Sequence, residues 1–228
     1  MRRSPDDGRA AVHAAVSTRL ALMSDRRIGE AVAAAAPLGS GMGGRAAGAS
    51  LVLFLEHVPH TLGAWLAERR EAAARGGEAP PFARIDEALT RGAEFMSAQG
   101  FVHFDAHFRN VLTDGCSVRF ADFGLALSTA FELSAEEAAF LAGHLAYDRH
   151  YVAGHLLRHH LSDEVRDADF LRAWLAGDRP DGTAPEAAAL LDRHAPAALV
   201  LDGFHRRLLT ESRRTPYPSA AIDRAAGR

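Results

Sequence analysis

The sequence predicts an α+β domain, mostly helical in its second half, with a short β-hairpin region near its centre. Three observations predict it. Leu51 to Val58 is a compact apolar run rich in Val, Leu and Phe, set between a glycine-rich stretch and Pro59. Residues 101–121 carry three short β-type runs, and Asp114-Gly115 between the last two is a strong hairpin signal. From Ser134 onward the chain is rich in Ala and Leu, with helix punctuation at the expected places.

Taken in order, residues 10–37 are Ala-rich and favour two short helices, and residues 38–50 form a glycine-rich loop. The run from Leu51 to Val58 reads as a buried strand. Thr61 can cap a helix running to about Ala74, after which Gly76-Gly77 and Pro80-Pro81 break the chain. Ile85, Leu89, Gly92 and Met96 fall on one face of a helix over 84–99, which Gly100 is placed to end. Strand character follows at Phe101 to His103, Val111 to Thr113 and Ser117 to Ala121. Ser134 with Glu137 makes a capping box that opens a helical region to about His160. Further helices are expected over 164–176, 185–193 and 196–211, and the last residues lack periodicity.

Bulk properties narrow the class. Of 228 residues, 48% are hydrophobic and 24% charged, enough for one domain with a sizeable core. A net charge of −3 gives no general attraction to nucleic acid or to an anionic membrane surface. The single cysteine, Cys116, excludes an internal disulfide framework and fits a reducing compartment. No stretch reaches the ~18 consecutive apolar residues of a membrane helix, and no compact apolar segment follows Met1-Arg2-Arg3. The expectation is a cytoplasmic protein with neither nucleic-acid nor membrane partners.

The chemistry concentrates in residues 101–128. His103-x-Asp105 is followed by four residues and then Asn110, and beyond the hairpin comes Asp122-Phe123-Gly124. Phosphoryl transfer from ATP needs a carboxylate for the proton of the attacking hydroxyl, and hard oxygen ligands to hold Mg²⁺ against the phosphates. Asp105 is the candidate base, and Asn110 and Asp122 are the candidate metal ligands. The Asp114-Gly115 turn is the physical link, because it can fold Asp122 back beside Asn110.

These residues resemble the catalytic loop and the Asp-Phe-Gly segment of the protein-kinase-like superfamily. The form His103-Phe104-Asp105-Ala106-His107-Phe108-Arg109-Asn110 is closest to the aminoglycoside phosphotransferase and choline kinase branch, with His107 where protein kinases carry lysine. The resemblance implies a kinase-like fold: a reduced or truncated N-lobe over 1–55, a mostly helical C-lobe over 56–212 and a flexible tail over 213–228. It implies that His103 braces the loop, that Asp105 is the base, and that Asn110 and Asp122 bind Mg²⁺. His107 would approach the phosphates or the acceptor. The backbone of Glu56, His57 and Val58 would hold adenine at the hinge. ATP and Mg²⁺ are the implied cofactors. A small hydroxylated molecule is the expected acceptor, since no Ala-Pro-Glu segment follows Gly124. Asp148 could be the helix aspartate that braces the loop.

The chain also departs from that pattern. All 26 of its Lys-plus-Arg residues are arginine, so the strand lysine of the superfamily is missing. Glu30 has roughly the separation from Glu56 expected of the partner glutamate, and Arg9 is a poor substitute for the lysine, since a planar fork differs from an ammonium point charge. Gly39-x-Gly41-x-x-Gly44 precedes the expected hinge strand and reads as a flexible turn between two N-lobe strands; a dinucleotide-binding reading fails because no strand precedes the glycines and no clear helix follows. Two alternatives stay open beside the small-molecule kinase: a pseudokinase that binds nucleotide or a protein without turnover, and a serine/threonine protein kinase. His155 and His159 have the spacing of two metal ligands on a helix, but without a nearby Cys or carboxylate cluster they read as a solvated or packed helix face.

Overall fold

A computed structural model describes residues 56–161, 168–212 and 214–227. The expected helices over 10–37, the glycine loop, Arg9, Glu30 and Leu51–Leu55 lie outside the described residues. Seven α-helices and five short strands occur among the described ones, an α+β arrangement.

Strand β1 (His60–Thr61) leads directly into α1 (Leu62–Ala74). The Thr61 hydroxyl caps α1 by accepting from Ala64 N at 3.3 Å, as a residue of that type at that place should. Glu56 to Val58, expected to end a strand, lie before β1 without strand pairing; the pairing starts two residues later, beyond Pro59, which has no N–H to give a ladder.

Helix α2 (Phe82–Ala98) buries Phe82, Ile85, Leu89, Ala93 and Met96, the spacing of one helical face. Gly92 on that helix lets β4 approach: a Cβ there would stand 2.5 Å from Cε2 of Phe120. Gly100, at φ +66°, turns the chain out of α2.

The central window folds as two nested antiparallel ladders. Strand β2 (Phe101–Val102) pairs with β5 (Leu127–Ser128), in register Phe101 with Ser128. Inside them β3 (Val111–Thr113) pairs with β4 (Val118–Phe120), in register Val111 with Phe120. Strand β1 adds to the free edge of β3. The turn between β3 and β4 is held by the Asp114 carboxylate, which accepts from Cys116 N, Ser117 N and the Ser117 hydroxyl. These bonds draw the Asp114 carboxyl down to about 2. Nesting leaves two loops, 103–110 and 121–126, side by side between the ladders.

The rest is helical. The capping box at Ser134 and Glu137 opens α3 (Ala135–His144), as the sequence predicts. Helix α4 (Tyr147–Leu156) is the buried centre and runs into a π-helical turn, Leu157–Leu161. Helix α5 (Ala168–Leu175) follows, then α6 (Pro185–Thr210).

Sequence reasoning split α6 in two near Pro196, and the structure corrects this. Helix α6 is continuous through Pro196, and its buried residues run on both sides: Leu190, Leu191, Ala195, Ala197, Ala198, Leu201 and Phe204. An interior proline costs ~3 kcal/mol, while each buried leucine contributes ~1.5–3 kcal/mol, so packing wins.

The expected tail is a second correction. Residues 219–225 form α7 (Ser219–Ala225), anchored by Ile222, which is fully buried against Leu201 and Phe204 in one core cluster. A single apolar anchor leaves no periodic signal. The larger cluster joins Leu62, Leu66, Leu89, Phe108, Leu156, Leu171 and Trp174. Among the described residues no helix is long and apolar enough to cross a membrane.

Candidate phosphotransfer site

The site grows from the loop that leaves β2. His103 is completely buried and links three segments. Its Nε2 donates to the Ala121 carbonyl at 2.9 Å, and its Nδ1 accepts from Asp105 N at 3.2 Å. One ring proton on Nε2 satisfies both bonds, so the tautomer follows from the geometry. The ring also packs on Phe123 at 4.7 Å, and Phe123 lies edge-on to Phe101 at 5.5 Å.

Asp148, at the start of α4, reaches the same loop from 45 residues away in sequence. Its carboxylate accepts from His103 N at 2.5 Å and from Phe104 N at 3.0 Å. Phe104 has φ +65°, a left-handed conformation that costs a bulky residue about 1–3 kcal/mol. The two bonds to Asp148 hold it there. Burial raises the Asp148 carboxyl above its usual range, and the two amides oppose that shift.

The candidate base and ligand meet directly. Asn110 Nδ2 donates to Oδ2 of Asp105 and to its carbonyl, both at 3.0 Å. That orientation turns Asn110 Oδ1 away from Asp105, the end of the amide that could meet a cation. It also leaves Asp105 Oδ1 on the other side, 3.6 Å from His107 Nε2. Asp105 is close enough to Tyr147 and Tyr151 for its charge to add to the burial that raises both phenols. His107 Nδ1 is buried without a hydrogen-bond partner.

Asp122 arrives through the backbone. Ala121 N donates to the Asn110 carbonyl at 2.8 Å, so the residue before Asp122 is tied to both Asn110 and His103. Asp122 itself is exposed and has φ +56°; aspartate is one of the few non-glycine residues that visit this region. His103, Asp105, His107 and Asn110 are thus joined by direct bonds and contacts, and Asp122 stands one residue beyond a shared carbonyl. The proposed hinge residues attach more remotely, through the sheet. Glu56 and His57 are exposed and Val58 is half-buried; Glu56 pairs with Arg119 of β4 at 3.1 Å.

Among the described residues no group of three or more His, Cys, Asp or Glu could hold a metal ion. Mg²⁺ is ordinarily held by one or two protein oxygens plus phosphates and water, which Asn110 Oδ1 and Asp122 could supply.

Sequence reasoning missed a second support for the loop. Phe108, nearly fully buried, has its carbonyl bonded by Gly63 N at 3.0 Å and its ring flanked by His155 and His160, each at 4.7 Å between centroids. The only sequence signal was the density of histidines after Asp148. His155 and His159 are neighbours at 4.5 Å, yet His155 Nε2 faces the Phe108 amide.

Four histidines carry a testable consequence. Burial lowers His144 and His205, takes His155 down to about 3 and His160 down to about 4. In the unfolded chain each binds its proton near 6.5, before the folded chain does. Folding stability is therefore full above that value and falls as pH drops toward 4, by up to roughly tenfold in the folding constant per pH unit for His155. Asp148, raised in the folded state, takes up its proton early and offsets part of the loss. Urea midpoints measured from pH 7 to pH 4 should hold to about 6.5 and decline below it; a flat profile would contradict the neutral, buried state of these rings.

Comparison of the chain with protein-family models, with curated proteins and with solved structures returned no match.

Proposed function

We propose that this chain is a kinase-like phosphotransferase that moves the γ-phosphoryl group of ATP, with Mg²⁺, to the hydroxyl of a small molecule. The observation that carries the reading is the bond between Asn110 and Asp105, with Asp122 next in the chain to Ala121, whose N–H bonds the Asn110 carbonyl. Asp105 accepts the proton of the attacking hydroxyl on the carboxylate oxygen that Asn110 leaves free. Asn110 Oδ1 and Asp122 would hold Mg²⁺, which when bound would supply neutralisation of the phosphate charge. His103 and Asp148 keep the loop in shape, and the backbone of Glu56 to Val58 is assigned to adenine. His107 lies on the Asp105 side that faces the acceptor, where protein kinases carry lysine.

A second reading, nucleotide binding without turnover, is favoured by one observation. No lysine exists anywhere in the sequence to hold the α- and β-phosphates. One experiment separates the readings. The chain is given labelled ATP and Mg²⁺ with a panel of aminoglycosides and small alcohols, and separately with generic protein substrates. Label on a small molecule is the expected result. Label only on protein serine or threonine would make the chain a protein kinase, and ATP binding without transfer would leave the second reading standing.

A further inference from the structure

The geometry points to His155, supported by His160, as the residue that positions the 107–110 turn by gripping Phe108. The consequence for catalysis rests on the phosphotransferase reading; the grip itself does not. The turn is closed by the bond from Asn110 N to the His107 carbonyl at 2.7 Å, which puts Phe108 and Arg109 at its apex. Whatever fixes Phe108 therefore fixes the direction in which Asn110 and His107 leave the turn.

Phe108 is fixed at three points. Its carbonyl accepts from Gly63 N at the start of α1, at 3.0 Å. Its N–H donates to His155 Nε2 at 3.4 Å, a long bond that the ring contacts reinforce. His160 stacks on its ring, with 15° between planes, while His155 meets the ring at 58°. A Cβ on Gly63 would meet that oxygen at 3.4 Å and Cε1 of His160 at 3.5 Å, ordinary contact distances.

The π-helical turn that follows α4 brings a second histidine, His160, to the ring that His155 of α4 already meets. A regular α-helix aligns residues four apart, so His155 would share its face with His159. With Leu157–Leu161 wound as a π-turn, His159 stays 4.5 Å from His155 while His160, five residues on, comes to 5.4 Å, and both His155 and His160 meet Phe108. His155 must be neutral to accept from an amide, and burial together with His159, His160 and His107 keeps it so.

The test uses ¹⁵N-labelled full chain and two variants. His155→Phe keeps ring bulk but has no acceptor, and His155→Gln returns an acceptor at similar reach. Hydrogen exchange of the Phe108 amide should run about five- to tenfold faster in His155→Phe, the worth of one modest hydrogen bond, and return toward the parent rate in His155→Gln. The Leu66 amide, in the same core but away from the turn, should not change. Should His155→Phe fail to fold, His160→Leu is read instead, with faster exchange again expected at Phe108 and not at Leu66. Equal Phe108 rates in parent and variant, or an equal effect at Leu66, would overturn the proposal. Mg²⁺-ATP affinity is read in parallel. Its loss in His155→Phe and recovery in His155→Gln would tie the grip to the nucleotide. Absence of binding even in the parent, with Phe108 responding as expected, would sink the phosphotransferase reading and leave the grip intact.

Discussion

Replacing Asp105 with Asn is expected to lower phosphoryl transfer by about 10²–10⁴-fold, the usual worth of a positioned general base, while the fold survives. An asparagine at 105 can still offer its carbonyl oxygen to Asn110 Nδ2, so the bond now measured at 3.0 Å need not be lost. The backbone bonds of the loop, from Asp105 N to His103 Nδ1 and from Asn110 N to His107 O, do not involve the carboxylate. The amide cannot take up a proton, and that alone separates the variant from the parent. Its affinity for Mg²⁺-ATP should stay within a few-fold, because Asn110 and Asp122 remain. The measurement is initial transfer rate on whichever acceptor of the panel is phosphorylated, with melting temperature as the control. Unchanged rate would remove Asp105 from the chemistry.

The largest stability effect should come from Asp148. Changing it to Ala strips the acceptors from the His103 and Phe104 amides at once, the first buried and the second part-buried. Each stranded amide costs ~1–3 kcal/mol. The left-handed backbone at Phe104 also loses the contact that holds it. A total of roughly 2–5 kcal/mol follows, against which removing a carboxyl already disfavoured by burial returns a part. Asp148→Asn should recover little, because one end of its amide must point an N–H at a backbone N–H. Urea denaturation of both variants would check this. A loss below about 1 kcal/mol for Asp148→Ala would show that solvent or another group satisfies those amides.

The contacts within the 103–110 loop were legible because they join residues at short, fixed separations. His103, Asp105 and Asn110 lie within eight residues, and the turn signal of Asp114-Gly115 predicted the hairpin that carries Asp122 back. Local signals also marked the ends of α1 and α3, since the caps at Thr61 and Ser134 depend only on neighbouring backbone. What depends on distant partners was harder to see. Asp148 could be named as a brace only through a resemblance, because nothing in its own neighbourhood shows that it meets His103. The His160 contact with Phe108 comes from a π-turn, a local change of helix winding that no periodicity records. Pro196 misled for the opposite reason, as a strong local breaker overruled by apolar packing on both sides. The pairing of β2 with β5 was also unseen, two residues being too short for any alternating pattern.

Asn110 and Asp122 are proposed to hold one divalent cation on a nucleotide. Substoichiometric Mn²⁺ with ATP, added to ¹⁵N-labelled chain, tests it most directly, since the bound paramagnetic ion broadens amides nearest to it. The account predicts that Asn110, Ala121 and Asp122 fade first, that Ile222 is spared, and that Asp122→Ala removes the selective loss. Broadening that bypasses the 103–110 and 121–126 loops, or that persists unchanged in Asp122→Ala, would contradict it.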